Sequence, residues 1–165
     1  MRTGLVRTIN LFLKRFLDII GSSLGLILVL PIFIFAILLI KLTMPGPIFF
    51  TQDRVGKDRA VFKILKLRTM KVDKVAEKNL DFSKDENRLT STGRLLRRIK
   101  IDELPQLINV FKGEMSLVGP RPTVMQQVEK YTDFQLQRLT MRPGMTGLAQ
   151  INGNITLSWE QRIKY

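Results

Sequence analysis

The sequence predicts an α+β protein, mostly helical, carried on an N-terminal membrane helix. Three observations predict it. Ile19–Ile40 carries no charged residue. Two runs rich in β-branched and aromatic residues, Ile48–Gln52 and Val61–Arg68, flank a stretch of turn residues. Beyond Thr90, apolar residues recur at helical spacing within short basic segments. This gives a Pro-kinked membrane helix over residues 1–45 and a surface domain over 46–165, with a small β-hairpin and several short amphipathic helices.

The apolar run comes first. At 1.5 Å per residue, Ile19–Ile40 makes roughly 33 Å of helix, enough to cross the hydrocarbon core. Basic residues precede it, as in a signal peptide, but no small-residue cleavage site follows and Lys41 restores positive charge at once. Pro31 removes a backbone donor in mid-run, so a kink is expected there. Lys14 and Arg15 stand before the run, and Lys41, Arg54, Lys57 and Arg59 after it. Both flanks therefore favour the same side of a membrane. A helix that breaks at Pro31 and re-enters the leaflet satisfies both features; a slightly kinked spanning anchor is the alternative. Lys14 and Asp18, one turn apart, are placed to pair at the interface.

Met44-Pro45-Gly46-Pro47 is a rigid turn signal. The hairpin that follows turns at Asp53–Asp58, and on its second strand Phe62, Ile64, Lys66 and Arg68 share one face. Lys66 and Arg68 then form either a phosphate clamp or a solvated edge. Lys71–Asn87 is polar and reads as a loop or frayed helix. Thr90 or Ser91 caps a short helix through Arg98, with Leu95, Leu96 and Ile99 inward and Arg94, Arg97 and Arg98 outward. Such a basic helix suits a membrane surface, although a solvated charged face accounts for it equally well.

Composition narrows the chemistry. The 165 residues carry 27 Lys and Arg against 14 Asp and Glu, a formal charge of +13, and the pI is near 10.5. That field favours phosphates, anionic lipid or nucleic acid. Neither cysteine nor histidine is present, which removes disulfides, thiol nucleophiles, Cys/His zinc sites and imidazole catalysis. Carboxylates, Lys, Arg, hydroxyls and hard metals remain.

The carboxylates of interest are Asp102 and Glu103. Leu104, Leu107, Ile108 and Phe111 have helical spacing, and Pro105 is tolerated only in a first turn, so the helix is expected to begin at Asp102 or Glu103. A carboxylate there meets the positive end of the helix dipole, and Arg94, Arg97, Arg98 and Lys100 precede it. Ionised, it can attack phosphorus or hold Mg²⁺ against phosphate oxygens. A plain helix cap has the same spacing. Two further segments present arginine beside proline: Gly119-Pro120-Arg121-Pro122, where Arg121 is held extended, and Arg142-Pro143-Gly144, whose Pro-Gly pair fits a type II turn. Each is either a phosphate-binding fork or a structural turn.

These segments, taken in order with Lys14-Arg15-Phe16-Leu17-Asp18, Gly46–Gln52, Lys66–Met70, Asp102–Val110, Lys112–Pro122 and Arg142–Gly153, resemble the monotopic phosphoglycosyl transferases of the bacterial sugar transferase family. The resemblance covers nearly the whole chain. It implies a re-entrant helix broken at Pro31 and a site on the cytoplasmic face of the bacterial inner membrane, among membrane lipids. It implies a Mg²⁺-dependent transfer of sugar-1-phosphate from a UDP-sugar to a polyprenyl phosphate, usually undecaprenyl phosphate, the first membrane-committed step of surface glycan assembly. Asp102 would attack the β-phosphate, release UMP and carry the phosphosugar covalently. Glu103 would assist, and both carboxylates would serve the metal. Lys66, Arg68, Arg88, Arg121 and Arg142 are the expected phosphate-binding shell. Relatives often have serine where Leu30 stands, tryptophan at Leu148 and arginine at Asn154, and they usually continue past Tyr165, so a C-terminal tail is expected to be missing.

The rival class is a membrane-tethered basic scaffold or nucleic-acid binder. Few aromatics are placed for base stacking and no nucleic-acid module is recognisable, so no nucleic-acid partner is expected. The sugar and the oligomeric state, including any homo-oligomer, are not legible.

Overall fold

The computed structural model describes residues 2–73, 75, 85–153, 161 and 163. Most of the polar stretch before Asn87, and Asn154 and Tyr165, lie outside the described residues. In chain order the elements are α1 (Arg2–Thr43), β1 (Phe49–Val55), β2 (Val61–Leu67), α2 (Asp85–Arg88), α3 (Ser91–Arg98), α4 (Gln106–Lys112), β3 (Ser116–Val118), α5 (Met125–Val128), α6 (Asp133–Leu136), β4 (Gly144–Thr146) and α7 (Leu148–Ile151). Turns of 3₁₀ helix occupy Lys57–Arg59, Ile101–Glu103 and Gln137–Thr140. The mostly helical α+β expectation holds.

Helix α1 continues past Pro31 without a terminus. Its stretch Thr8–Thr43 is long and apolar enough to cross a membrane. Phe12, Leu17, Ile27, Leu28, Phe35 and Leu42 are all exposed, a coat that suits lipid and would be unfavourable in water. Its hydroxyls are satisfied within the helix: Ser23 Oγ donates to Ile19 O at 2.8 Å and Thr43 Oγ1 to Leu39 O at 2.6 Å.

Two compact units divide the chain. The first takes α1 up to Ile27, residues 52–64, and the chain from Gln106 onward. Its core joins Phe62, Ile64, Val110 and Met115, with Leu117 and Met145 against them. A second cluster joins Val55, Val128 and Leu139. In this unit α1 offers a stripe of small and polar residues. A side chain at Gly21 would meet Leu117 Cδ1 at 2.6 Å, and one at Gly25 would meet Leu107 Cδ1 at 3.2 Å. One turn before Ser22, Asp18 Oδ1 accepts from Ser116 Oγ and Leu117 N, both at 2.9 Å. The expected Lys14–Asp18 pair is present at 3.8 Å, and Lys14 also donates to Val118 O at 2.8 Å. Arg15 donates to Val110 O at 2.7 Å and Phe111 O at 2.8 Å. A cation there interacts favourably with the carbonyl end of α4.

Strands β3 and β4 pair in parallel, Ser116 with Gly144 and Val118 with Thr146. This corrects the turn expected at Pro143-Gly144. A type II turn needs positive φ at its glycine, and Gly144 is not among the positive-φ residues. It is required by proximity: a Cβ there would lie 2.1 Å from Gly119 N. The α4 face differs as well. Gln106, Leu107, Asn109 and Val110 are buried, whereas Phe111, expected inward, is exposed. Asn109 explains the rotation: its Nδ2 donates to Lys63 O at 2.8 Å and Glu114 Oε2 at 2.6 Å, bonds that need the amide inside.

The second unit holds α1 from Leu28, residues up to Thr51, and Leu65–Pro105. Ala36, Ile40, Met44, Leu67 and Leu96 form its core, and Phe33, Ile37, Ile48 and Ile101 pack on them. The hairpin strands pair as expected, but burial on β2 changes phase, with Phe62 and Ile64 inside and then Leu67. Each half of β2 thus serves a different core. Helix α3 starts where the sequence places it: Thr90 is the N-cap and its hydroxyl accepts from Gly93 N at 2.9 Å. Only Leu96 of its three expected inward residues is buried; Leu95 and Ile99 are about half exposed. Gly93 sets this orientation, since a Cβ there would lie 1.8 Å from Thr69 O. A helix that presses its backbone on Thr69 turns Leu95 outward.

Candidate active site

Asp102 and Glu103 occupy the 3₁₀ turn Ile101–Glu103, and α4 begins at Gln106, later than the spacing predicted. Lys100 enters the turn in the left-handed region, with φ 61°. That strained backbone is sparsely populated by residues other than glycine and is a common feature of functional turns. Ile101, partly buried, packs on the apolar cluster of the second unit.

Asp102 is buried, 6% exposed. Its Oδ1 has no hydrogen-bond partner among the described residues, an arrangement that costs energy and calls for a ligand, a water or a proton. Beside it, Lys66 Nζ donates to Glu103 Oε1 at 2.7 Å, with each side chain about one-fifth exposed. Burial, the largest influence, pushes the Asp102 carboxyl above its ordinary value; Lys66 opposes this, Glu103 adds to it, and Arg97 and Lys100 oppose it. The basic surroundings anticipated from sequence are present, yet the direction of the shift is set by burial.

The expected phosphate shell separates into different roles. Lys66 stands with the carboxylates. Arg68 is 5% exposed and donates to Met44 O at 2.6 Å and Pro45 O at 2.8 Å. It thereby braces the Pro45–Pro47 turn, where Gly46 has φ 109° and faces the guanidinium. Arg88 donates to Lys71 O at 3.2 Å and lies 3.5 Å from Asp85 Oδ1. Arg121 and Arg142 belong to the first unit, where Arg142 Nε donates to Gly113 O at 2.8 Å and Arg121 lines a cavity. Arg97, read from sequence as outward on its helix and as one of the cations preceding the carboxylates, is a neighbour of Asp102; its Nε donates to Thr69 Oγ1 at 2.9 Å. The proximity of Asp102 to the Lys66–Glu103 pair arises from β2 and was not readable from local spacing.

Metal fit follows from the same donors. No cluster of three or more acidic residues exists among the described residues. Two adjacent carboxylates, one with an unpartnered buried oxygen, match the way Mg²⁺ is held by one or two carboxylates together with substrate phosphates.

A long helix with an exposed apolar surface and a buried carboxylate beside cations suit a membrane-associated enzyme. Comparison with known proteins gives the family. The model described as Bacterial sugar transferase matches residues 9–165. The sugar transferase EpsL of Bacillus subtilis strain 168 is 44% identical over 93% of this chain and 75% of its own length. The exopolysaccharide production protein ExoY of Rhizobium meliloti strain 1021 is 38% identical over 99% of this chain and 79% of its own. The UDP-glucose:undecaprenyl-phosphate glucose-1-phosphate transferase of Klebsiella pneumoniae is 41% identical over 95% of this chain, which spans 36% of that longer relative. The chain belongs to the bacterial sugar transferase family. Membership makes it a transferase of the phosphoglycosyl type and displaces the scaffold reading.

Proposed function

We propose that this protein transfers a sugar-1-phosphate from a UDP-sugar to a polyprenyl phosphate, most naturally undecaprenyl phosphate, through a covalent intermediate on Asp102. The observation that carries the reading is the buried Asp102 Oδ1, unpartnered among the described residues and flanked by Lys66, Glu103, Arg97 and Lys100. Relatives named for UDP-glucose and undecaprenyl phosphate support these substrate classes.

In the first step an Asp102 carboxylate oxygen forms a bond to the β-phosphorus, and the bond from that phosphorus to the bridging oxygen breaks. UMP leaves with the electron pair. In the second step an oxygen of the polyprenyl phosphate attacks the same phosphorus, the acyl phosphate bond breaks, and Asp102 is regenerated as a carboxylate. Desolvation keeps Asp102 weakly hydrated and so raises its nucleophilicity, while the surrounding cations stabilise charge that spreads over the phosphoryl oxygens. Lys66 holds Glu103 in place. Mg²⁺, held by Asp102 and Glu103, would neutralise the diphosphate.

A lipid acceptor and a water-soluble donor require a site at the membrane interface. In this reading α1 bends at Pro31, re-enters the leaflet and keeps both flanks on the cytoplasmic face of the inner membrane. A panel of UDP-sugars tested for UMP release by detergent-solubilised protein checks the reaction. Release with one or more donors supports it; silence across the panel with folded, full-length protein rejects it.

A further inference from the structure

Thr69 stands just beyond the end of β2 and is 5% exposed. One stripe of α3 is built around it. Thr90 N and Thr90 Oγ1 donate to Thr69 O at 3.3 and 3.2 Å. Gly93 lies against the same carbonyl with no room for a Cβ. A turn further on, Arg97 Nε donates to Thr69 Oγ1 at 2.9 Å. We propose that Thr69 is a positioning residue, whose hydroxyl fixes the Arg97 guanidinium so that its Nη edge meets the phosphoryl group at Asp102, a role that rests on the transfer chemistry proposed above.

Helical spacing produces this arrangement. The N-cap Thr90, Gly93 and Arg97 follow one another at three and then four residues, so they share one face of α3. Backbone contact at Gly93 brings that face close enough for the Thr69 hydroxyl to reach residue 97. A β-branched side chain has few rotamers, and burial restricts Thr69 further, so its Oγ1 is a fixed acceptor. The far side of Arg97 is tied to the site as well. Its carbonyl accepts from Lys100 N at 3.2 Å, and Lys100 opens the turn that carries Asp102. All of these residues belong to the second unit.

The bond selects one edge of the guanidinium. Arg97 is exposed, and an exposed arginine that samples many rotamers loses that freedom when it binds a ligand. Engaging Nε reserves the Nη1–Nη2 edge, a planar fork that matches two phosphate oxygens. The field of Arg97 already reaches Asp102, while Lys66 is engaged with Glu103 at 2.7 Å. Anchoring by Thr69 therefore places a cation beside the reacting phosphorus before the substrate arrives, which lowers the entropy lost in forming the complex.

The test is a double-mutant cycle read by binding, on full-length, detergent-solubilised protein with Mg²⁺ and UDP, which carries the β-phosphate but no sugar to transfer. Thr69→Val keeps the shape and removes the hydroxyl; Arg97→Ala removes the group it anchors. Each alone should weaken UDP by about tenfold, and the double variant should bind no more weakly than Arg97→Ala alone. Thr69→Ser should restore wild-type affinity. Losses that add in the double variant mean that Thr69 acts only on the fold, and they overturn the inference. Unaltered UDP binding in folded Thr69→Val, or a wild type that does not bind UDP, overturns it too. UMP release from UDP-sugars is followed in parallel. Coupling in the cycle without release rejects the transferase reading alone, and release without coupling rejects the role of Thr69 alone. Should Thr69→Val fail to fold, Thr69→Ala completes the cycle.

Discussion

Asp102 carries opposing influences that can be separated by substitution. Its folded-state pKa is raised, chiefly by burial. A raised acid contributes stability at pH below its unfolded value, near 3.8, and that contribution is lost as pH climbs through the folded value. Above it, the ionised group is a standing penalty. Asp102→Asn is therefore expected to leave thermal stability in chelated buffer at neutral pH unchanged or higher, with the advantage shrinking as the solution is acidified. Melting curves at several pH values check the sign. The same substitution should lower turnover by about three orders of magnitude or more, as removal of a nucleophile does. For the wild type, the acid limb of the rate profile should fall above the ordinary carboxylate range. Sequence singled out Asp102 and Glu103 and their basic neighbours, but not the burial of Asp102. It also assigned Arg68, Arg88 and Arg142 to phosphate by their motifs, and a string of residues does not reveal that each also donates to a backbone carbonyl, of Met44, Lys71 and Gly113 in turn.

At the scale of elements, caps and close approaches decide the arrangement. Thr90→Ala removes the N-cap of α3 and should cost about 1 kcal/mol. Gly93→Ala should cost about 3 kcal/mol, since its Cβ would overlap Thr69 O and the helix must shift. Chemical or thermal unfolding of the two variants checks the order. The N-cap was legible because hydroxyl residues before an apolar period have a local physical cause. The inward face of α3 was not, because Gly93 acts by having no side chain, and the pattern of Leu95, Leu96 and Ile99 alone describes a helix that packs by side chains. The parallel pairing of β3 with β4 was hidden for a similar reason: Gly119 and Gly144 permit backbone contact that no periodicity records.

For the whole molecule, the membrane helix and its polar stripe connect sequence to location. The apolar run was plain from composition, and the Lys14–Asp18 spacing foretold a pair. That Asp18 also receives Ser116 and Leu117, far along the chain, required the fold. Asp18→Ala leaves Lys14 without its carboxylate and Leu117 N without its acceptor, and should lower stability in detergent by about 3 kcal/mol. The re-entrant topology proposed for α1 is tested by cysteines introduced at Thr8 and Lys57: neither should react with an impermeant reagent outside intact cells. Reaction at one position alone would mean a spanning helix.

The most direct measurement is the intact mass of the protein after incubation with Mg²⁺ and the UDP-sugar it uses, without lipid acceptor. The account predicts an adduct of one phosphosugar, mapped to Asp102, discharged by polyprenyl phosphate and absent in Asp102→Asn. Turnover that persists in Asp102→Asn, or an adduct mapped to a different residue, would contradict it.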